Sequence, residues 1–262
     1  MNNFRSEYRT RYYQAYTTVI GTIQLHQRKP HVVALWSVAF PGFGHFLVHR
    51  FFTGFALFFW EFYINQVTHL NTAMMYSFNG QFDRAKAILD EKHIYLYIPV
   101  YLFAIWDSYR TAVDENKIHV LAKRENAKFS TISITPFGCE YLSKKDPWIA
   151  FAWAMAFPSL GQMYIHRIVN AMLTLVMTIV VILNSNLVEG IHYCMLFNFS
   201  KARDVIDQQW SLYFPSIYFY GIYDAYSNAV ELSKLYNREQ ADFLKEHHQS
   251  EHFVLYKGEK IE

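Results

Sequence analysis

"AFPGFGHFLVHR" fills residues 39–50, and "AFPSLGQMYIHR" fills residues 156–167. Pro41, Gly44, His49 and Arg50 are answered by Pro158, Gly161, His166 and Arg167 at one fixed offset of 117 residues. The same offset aligns Pro30 with Pro147, Trp36 with Trp153, Tyr76 with Tyr193, Phe82 with Phe199 and Asp90 with Asp207. It also aligns Tyr101 with Tyr218 and "WDSYRTAV" (106–113) with "YDAYSNAV" (223–230), and no gap is needed. The pattern reads as an internal duplication. Its period is far longer than that of a solenoid repeat, so each copy is a small domain or half-domain.

Each copy carries the same segments. An apolar stretch (32–48, 149–165) is broken near its middle by Pro and Gly, and a second apolar run (51–67, 168–183) follows the His-Arg pair. A polar stretch with amphipathic spacing comes next (79–92, 198–210), then an aromatic-rich run (94–113, 211–230). Runs of this length reach the lower limit for spanning a hydrocarbon core about 30 Å thick. "FFTGFALFF" and "AMLTLVMTIVVIL" are apolar all round, unlike the helices of a soluble bundle.

Composition agrees. Hydrophobic residues make up 52% of the chain, aromatic residues 19% and charged residues 18%, whereas soluble domains average about 25% charged. A net charge of +2 and the lack of a basic, aromatic-interleaved stripe argue against nucleic-acid binding. Cys139 and Cys194 have no metal-type spacing and provide no disulfide framework. The expected fold is an all-α integral membrane protein: two tandem helical units related by a pseudo-twofold, each with three apolar segments and one amphipathic interfacial helix.

Orientation follows from the basic residues. Residues 1–31 hold five (Arg5, Arg9, Arg11, Arg28, Lys29), residues 114–147 six (Lys117, Lys123, Arg124, Lys128, Lys144, Lys145) and residues 231–262 five (Lys234, Arg238, Lys245, Lys257, Lys260). The loops inside the copies hold Arg84, Lys86 and Lys92, and Lys201 and Arg203. The positive-inside rule places both termini and the linker in the cytoplasm of a cell-membrane protein. Each copy then crosses an even number of times. The first apolar segment is expected to be a re-entrant hairpin, since Pro41 removes a backbone donor and Gly42 and Gly44 loosen the turn. Six full spans with a kinked first segment is the competing arrangement.

The expected boundaries are an amphipathic helix at 1–29, a membrane unit at 30–117, a basic cytoplasmic linker at 118–146, a second unit at 147–234 and a charged tail at 235–262. Phe4, Tyr8, Tyr12, Tyr16, Ile20 and Ile23 carry the amphipathic spacing, with Arg5, Arg9 and Arg11 largely elsewhere on the turn.

"AFPGFGHFLVHRFFTG" and "AFPSLGQMYIHR" resemble the Pro-Gly-x-Gly-Gln-x-Tyr turn of small prokaryotic multi-pass membrane proteins, distantly like the two-transmembrane-helix domain family. Asp107 with Tyr109 and Arg110, and Asp224 with Tyr226, look like that family's Asp-bearing helix end. The first copy has His45 and Leu47 where the pattern has Gln and Tyr. The second keeps Gln162 and Tyr164 but has Ser159 for a glycine. The resemblance implies an integral membrane protein, mostly of uncharacterised role, and no enzyme.

Polar groups at membrane depth are the candidate functional residues. Pro41, Gly42, Gly44, Pro158 and Gly161 are structural turn formers. His49, Arg50, Asp107 and Tyr109, with His166, Arg167, Asp224 and Tyr226, form an interfacial ion pair in each copy or a lipid-headgroup site. Glu61, whose counterpart is Thr178, is an intramembrane acid outside the repeated framework. His248 and His252 are weak metal candidates in a solvated tail. No cofactor and no catalytic residue is expected. The expected function is a non-catalytic scaffold or a partner- and lipid-binding platform with a cytoplasmic protein partner; the alternatives are a small transporter or channel with a path between the copies, and a lipid enzyme using His49 or His166 as base.

Overall fold

A computed structural model describes residues 15–18, 21–125, 132–135 and 138–249. Most of the described residues are helical. After a β-hairpin (β1, Ala15–Thr18; β2, Gly21–Gln24) come helices α1 (Pro30–Ala39), α2 (Phe43–Leu47), α3 (Phe51–Thr68), α4 (Leu70–Phe78), α5 (Phe82–Ile88) and α6 (Glu91–Arg124). A second hairpin (β3, Ile132–Thr135; β4, Gly138–Tyr141) precedes α7 (Pro147–Ala156), α8 (Leu160–Tyr164), α9 (Ile168–Ser185), α10 (Leu187–Met195), α11 (Phe199–Val205), α12 (Gln208–Ser211) and α13 (Tyr213–His247). The starts of the two series stand 117 residues apart throughout, with α12 and α13 together matching α6.

Local chemistry recurs with them. Pro30 and Pro147 begin α1 and α7, where a missing N–H costs nothing. Asp90 and Asp207 cap the starts of α6 and α12 through backbone N–H groups. Positive φ values come in pairs at the same offset: Gly42 and Ser159, His49 and His166, His69 and Asn186, Gly80 and Phe197. Each pair marks a sharp bend between helices.

The hydrogen bonds between helices fix the course of the chain. Entering α1, the Arg28 N–H and carbonyl bond Asn116 in α6, and farther along the Val38 carbonyl accepts from Tyr101. After the Phe40–Gly42 break the chain turns back, so that His45 and Arg50 both reach Asp107. Helix α3 then runs to the far end of α6, where the Asp90 N–H bonds the Thr68 carbonyl. The α1–α2 segment is therefore a hairpin that runs along α6 as far as Tyr101 and turns back to Asp107. The second unit repeats the path: Tyr218 donates to Met155, Gln162 to Asp224, and the Asp207 N–H to Ser185.

Small residues let the two arms of each hairpin lie close to one another and to the long helix. A Cβ on Gly44 would fall against Ser37 Oγ and the Val33 carbonyl, and one on Gly161 against the Ala150 carbonyl. Ala150, Ala154, Ala225 and Ala229 are fully buried along the same seam.

The contacts between units are not reciprocal, which corrects the expected pseudo-twofold. Trp36 packs on Tyr220 and Tyr223 with ring centroids 5.7 and 5.2 Å away, and Phe43 stacks on Tyr220 at 4.2 Å. A twofold axis would bury the counterpart set as well. Instead Trp153 is 51% exposed, Phe103 48% and Trp106 55%. The units pack head to tail, the α1–α4 side of the first against α9, α12 and α13 of the second.

Two further expectations change. Residues 15–18 and 21–24 pair as antiparallel strands, not as part of an amphipathic helix. "TTVIGTI" is rich in β-branched residues, which favour a pleated backbone over the helix that the aromatic spacing suggests; residues 1–14 lie outside the described residues. The stretch 118–146 is likewise not a plain linker, since α6 continues to Arg124 and β3–β4 follow. The tail is helical to His247.

One helix, α9, is long and apolar enough to cross a membrane by length and composition; α1 and α7 are shorter apolar helices. On α9, Met172, Val176, Ile179 and Leu183 form an exposed stripe at helical spacing, and on α6 the exposed Tyr95, Ile98, Leu102 and Trp106 do the same.

Candidate functional site

The repeated phrase builds a clamp on an aspartate. In the second unit Asp224 is fully buried. Its Oδ2 accepts from Gln162 Nε2 at 2.8 Å and Asn170 Nδ2 at 3.1 Å, and lies 3.4 Å from Arg167 Nε. Its Oδ1 accepts from Asn228 Nδ2 at 2.9 Å. Thr174 donates to Gln162 Oε1 at 2.5 Å, fixing the amide's orientation. In the first unit Asp107 accepts from His45 Nε2 at 3.2 Å, with Arg50 at 3.7 Å and Arg110 at 3.5 Å. The two Arg–Asp pairings read from the sequence are therefore formed. His45 and Gln162, noticed in the sequence only as departures from or matches to a pattern, are the residues that tie each hairpin to its long helix.

Arg167 does more than Arg50. Its Nη1 donates to Asn228 Oδ1 at 2.8 Å and reaches His49 Nε2 at 3.4 Å, while Nη2 donates to the Phe46 carbonyl at 3.2 Å. It thus bridges the two units. Its side chain is 7% exposed, whereas that of Arg50 is 49% exposed.

A cationic cluster surrounds Arg167 on the side where both hairpins lie. Burial, and then Arg167, lowers Arg28 to about 10. Burial followed by Arg28 and Arg167 lowers His26 to about 2, and burial with Arg167 and Arg28 holds His49 well below the usual imidazole value. Glu115 is the acid nearest Arg28 in effect, and burial raises it to about 7 against the pull of Arg28 and Arg50. Asp224 balances Arg167, so the cation without a full counter-charge is Arg28, whose neighbour Glu115 holds its proton more readily than a free carboxyl does. Three buried side-chain nitrogens between residues 24 and 28 have no hydrogen-bond partner: Arg28 Nη2, His26 Nδ1 and Gln24 Nε2. Beside the cluster, a small cavity of about 40 Å³ opens between β2 and α9, lined by Gly21, His49, Phe51, Arg167 and Asn170. Arg28 and His26 were missed in the sequence, because only the hairpin and the fold back onto α6 bring them to Arg167.

The other candidates fall elsewhere. Tyr109 packs against His31 with ring centroids 5.2 Å apart, and Tyr226 against Trp148 at 5.9 Å, so each tyrosine sits on its own hairpin's first helix. His166 is exposed. Pro41, Gly42, Pro158 and Ser159 form the two hairpin breaks. Glu61 is 4% exposed, and its Oε1 accepts from Asn65 at 3.3 Å and Tyr97 at 3.5 Å. His248 closes α13, and His252 lies outside the described residues. Among the described residues no group of three metal-ligating side chains comes together. Compared with family models, with curated proteins and with solved structures, the chain matches none.

Proposed function

We propose that the chain is a non-catalytic multi-pass membrane protein, built by internal duplication, that forms a platform engaging anionic lipid headgroups on its cytoplasmic side. Helices α3, α6, α9 and α13 make four crossings, and α1–α2 and α7–α8 are re-entrant hairpins. The exposed apolar stripes on α6 and α9 support this reading, because a soluble monomer rarely leaves such faces uncovered. At 34 and 35 residues, α6 and α13 are longer than the roughly 20 residues that a bilayer requires, so their charged carboxy-terminal parts project into water beside the hairpins. The basic termini and linker then lie together in the cytoplasm. The Pro-Gly turn and its aspartate are what the resemblance to small prokaryotic membrane proteins rests on.

The observation that carries the lipid reading is the buried cluster of Arg28, Arg167, His26 and His49, whose spare donors call for an anion at the level of the hairpin returns. The test is retention of phosphatidylglycerol against phosphatidylcholine by purified protein, read by native mass spectrometry. Arg28→Gln should lose the preference for the anionic lipid and Arg50→Gln should keep it. Equal retention of both lipids by the unaltered chain contradicts the reading.

A second reading, a small transporter or channel, is favoured by one observation: Glu61 lines a cavity of about 300 Å³ between the units. Proteoliposome flux that is insensitive to Glu61→Gln would count against it.

A further inference from the structure

The cavity at Glu61 has the chemistry of a recognition site, and it stands apart from the charge clamps and the lipid cluster. It lies towards the opposite end of α6, where the tip of the α1–α2 hairpin, α3 and α4 of the first unit meet the start of α13. Its volume of about 300 Å³ is many times the roughly 30 Å³ share of one water, so a bare ion leaves it mostly empty.

Its wall joins one acid to several polarisable rings. Glu61 is buried, with Oε1 held by Asn65 and Tyr97 and Oε2 without any hydrogen-bond partner. Among the described residues no basic side chain pairs with Glu61. A carboxylate buried without a counter-charge is costly, and the cost is relieved when a cation is bound against it. Tyr97 and Tyr101 pack together with ring centroids 5.2 Å apart, and Tyr213 also lines the cavity. Aromatic faces beside a carboxylate attract organic ammonium groups. The remaining wall combines apolar side chains, Met74 and Pro215 among them, with the polar Asn65, Asn71 and Ser216.

The wall is built and not incidental. Gln209 from the second unit donates Nε2 to Asn65 Oδ1 at 2.8 Å and accepts at Oε1 from the Thr72 N–H and hydroxyl, both at 2.9 Å. Asn71 Nδ2 in turn donates to the Gln209 carbonyl at 2.8 Å. This network fixes the residue beside Glu61 and locks the second unit against the site. None of its first-unit members is repeated: Glu61, Asn65, Asn71 and Tyr97 correspond to Thr178, Ile182, Val188 and Phe214. The duplicated framework therefore does not require them.

We infer that this cavity binds a small organic ammonium ligand, its charged head on Glu61 Oε2 and its apolar part among Tyr97, Tyr101 and Tyr213. The inference does not depend on the lipid reading, because the two sites lie at opposite ends of α3.

The test uses the full chain in a non-ionic detergent, with phenethylammonium as probe and phenethyl alcohol as its uncharged analogue, followed by calorimetry. Saturable binding of the ammonium, at least tenfold weaker binding of the alcohol, and at least a tenfold loss in Glu61→Gln are expected. Thr178→Val, at the corresponding place in the second unit, should bind as the unaltered chain does. Circular dichroism and thermal unfolding check that Glu61→Gln is folded; should it fail to fold, Tyr97→Leu and Tyr101→Leu provide the comparison and should weaken binding several-fold. Absence of saturable ammonium binding to the unaltered chain, equal affinity for the alcohol, or unchanged affinity in folded Glu61→Gln would overturn the inference.

Discussion

Arg167 donates a hydrogen bond to the carbonyl of Phe46, 121 positions earlier in the chain, and so couples the hairpin return of one unit to that of the other. Its counterpart Arg50 makes only the pairing within its own unit, at 3.7 Å from Asp107, with half of its side chain exposed. Two copies of one phrase thus hold different positions, because head-to-tail packing buries one end of each unit and leaves the other end free.

The first prediction follows from that asymmetry. Arg167→Gln leaves Asp224 buried beside unfilled space, and breaking a buried pair costs about 3–5 kcal/mol. Arg50→Gln removes a half-exposed pair, for which about 1 kcal/mol or less is expected. Denaturant unfolding of the two variants in the same detergent provides the comparison.

Ser159 offers a stabilising change. It holds φ at +105° where its counterpart Gly42 holds +101°, and its buried hydroxyl has no hydrogen-bond partner. Glycine relieves both the backbone strain and the unpaired group, so Ser159→Gly should stabilise the chain by roughly 1–3 kcal/mol. Gly42→Ser should do the opposite, since a Cβ there would lie 2.5 Å from the Gly54 carbonyl. Thermal unfolding reads both signs.

Acid dependence of the cluster should have two opposing parts, His26 with His49 in one sense and Glu115 in the other. The folded chain keeps His26 neutral down to about 2, so stability is lost as pH falls below the unfolded value of 6.5, by about 1.4 kcal/mol per pH unit. Glu115, raised from 4.5 to about 7, acts in the other sense. The folded chain keeps its proton between those values, so its contribution grows as pH falls from 7 to 4.5. Between pH 6.5 and 4.5 Glu115 offsets most of the loss from His26 and leaves that from His49. Glu115→Gln removes the compensation, and its stability relative to the unaltered chain should drop by about 2 kcal/mol over that interval. A relative stability that does not change with pH would contradict the assignment.

The close contact between α1 and α2 within the hairpin predicts a steric effect. Gly44→Ala places a methyl group against Ser37 and the Val33 carbonyl, and overpacking of this kind costs about 1–3 kcal/mol. Gly80→Ala, where nothing lies within 4 Å, carries only the strain of φ +73°, about 1 kcal/mol. Unfolding midpoints of the two variants should fall in that order.

Much of the path was legible in the residues. The 117-residue offset, the Pro-Gly break, the return of Arg50 to Asp107 and the matching pair of Arg167 and Asp224 all follow from local chemistry that is written twice. The strands at 15–18 and 21–24 were not legible, since the aromatic spacing of the first residues and the β-branched run "TTVIGTI" point to different periods and pairing decides between them. Head-to-tail packing was hidden as well. Trp36 and Trp153 are the same residue in the same context, and only the neighbouring unit partly covers the first and leaves the second exposed. The cationic cluster and the Gln209 network share this origin, because contacts across more than eighty positions leave no periodic trace.

The most direct test of the proposed four-crossing arrangement is the labelling of single cysteines in intact cells, in a variant lacking Cys139 and Cys194, with reporters at Asn79, Glu125 and Gln249. The account predicts that only the Asn79 reporter reacts with an impermeant reagent from outside, and that the other two react after permeabilisation. Labelling of Glu125 from outside, with Asn79 and Gln249 protected, would mean that the units are inverted and that the hairpins cross the bilayer.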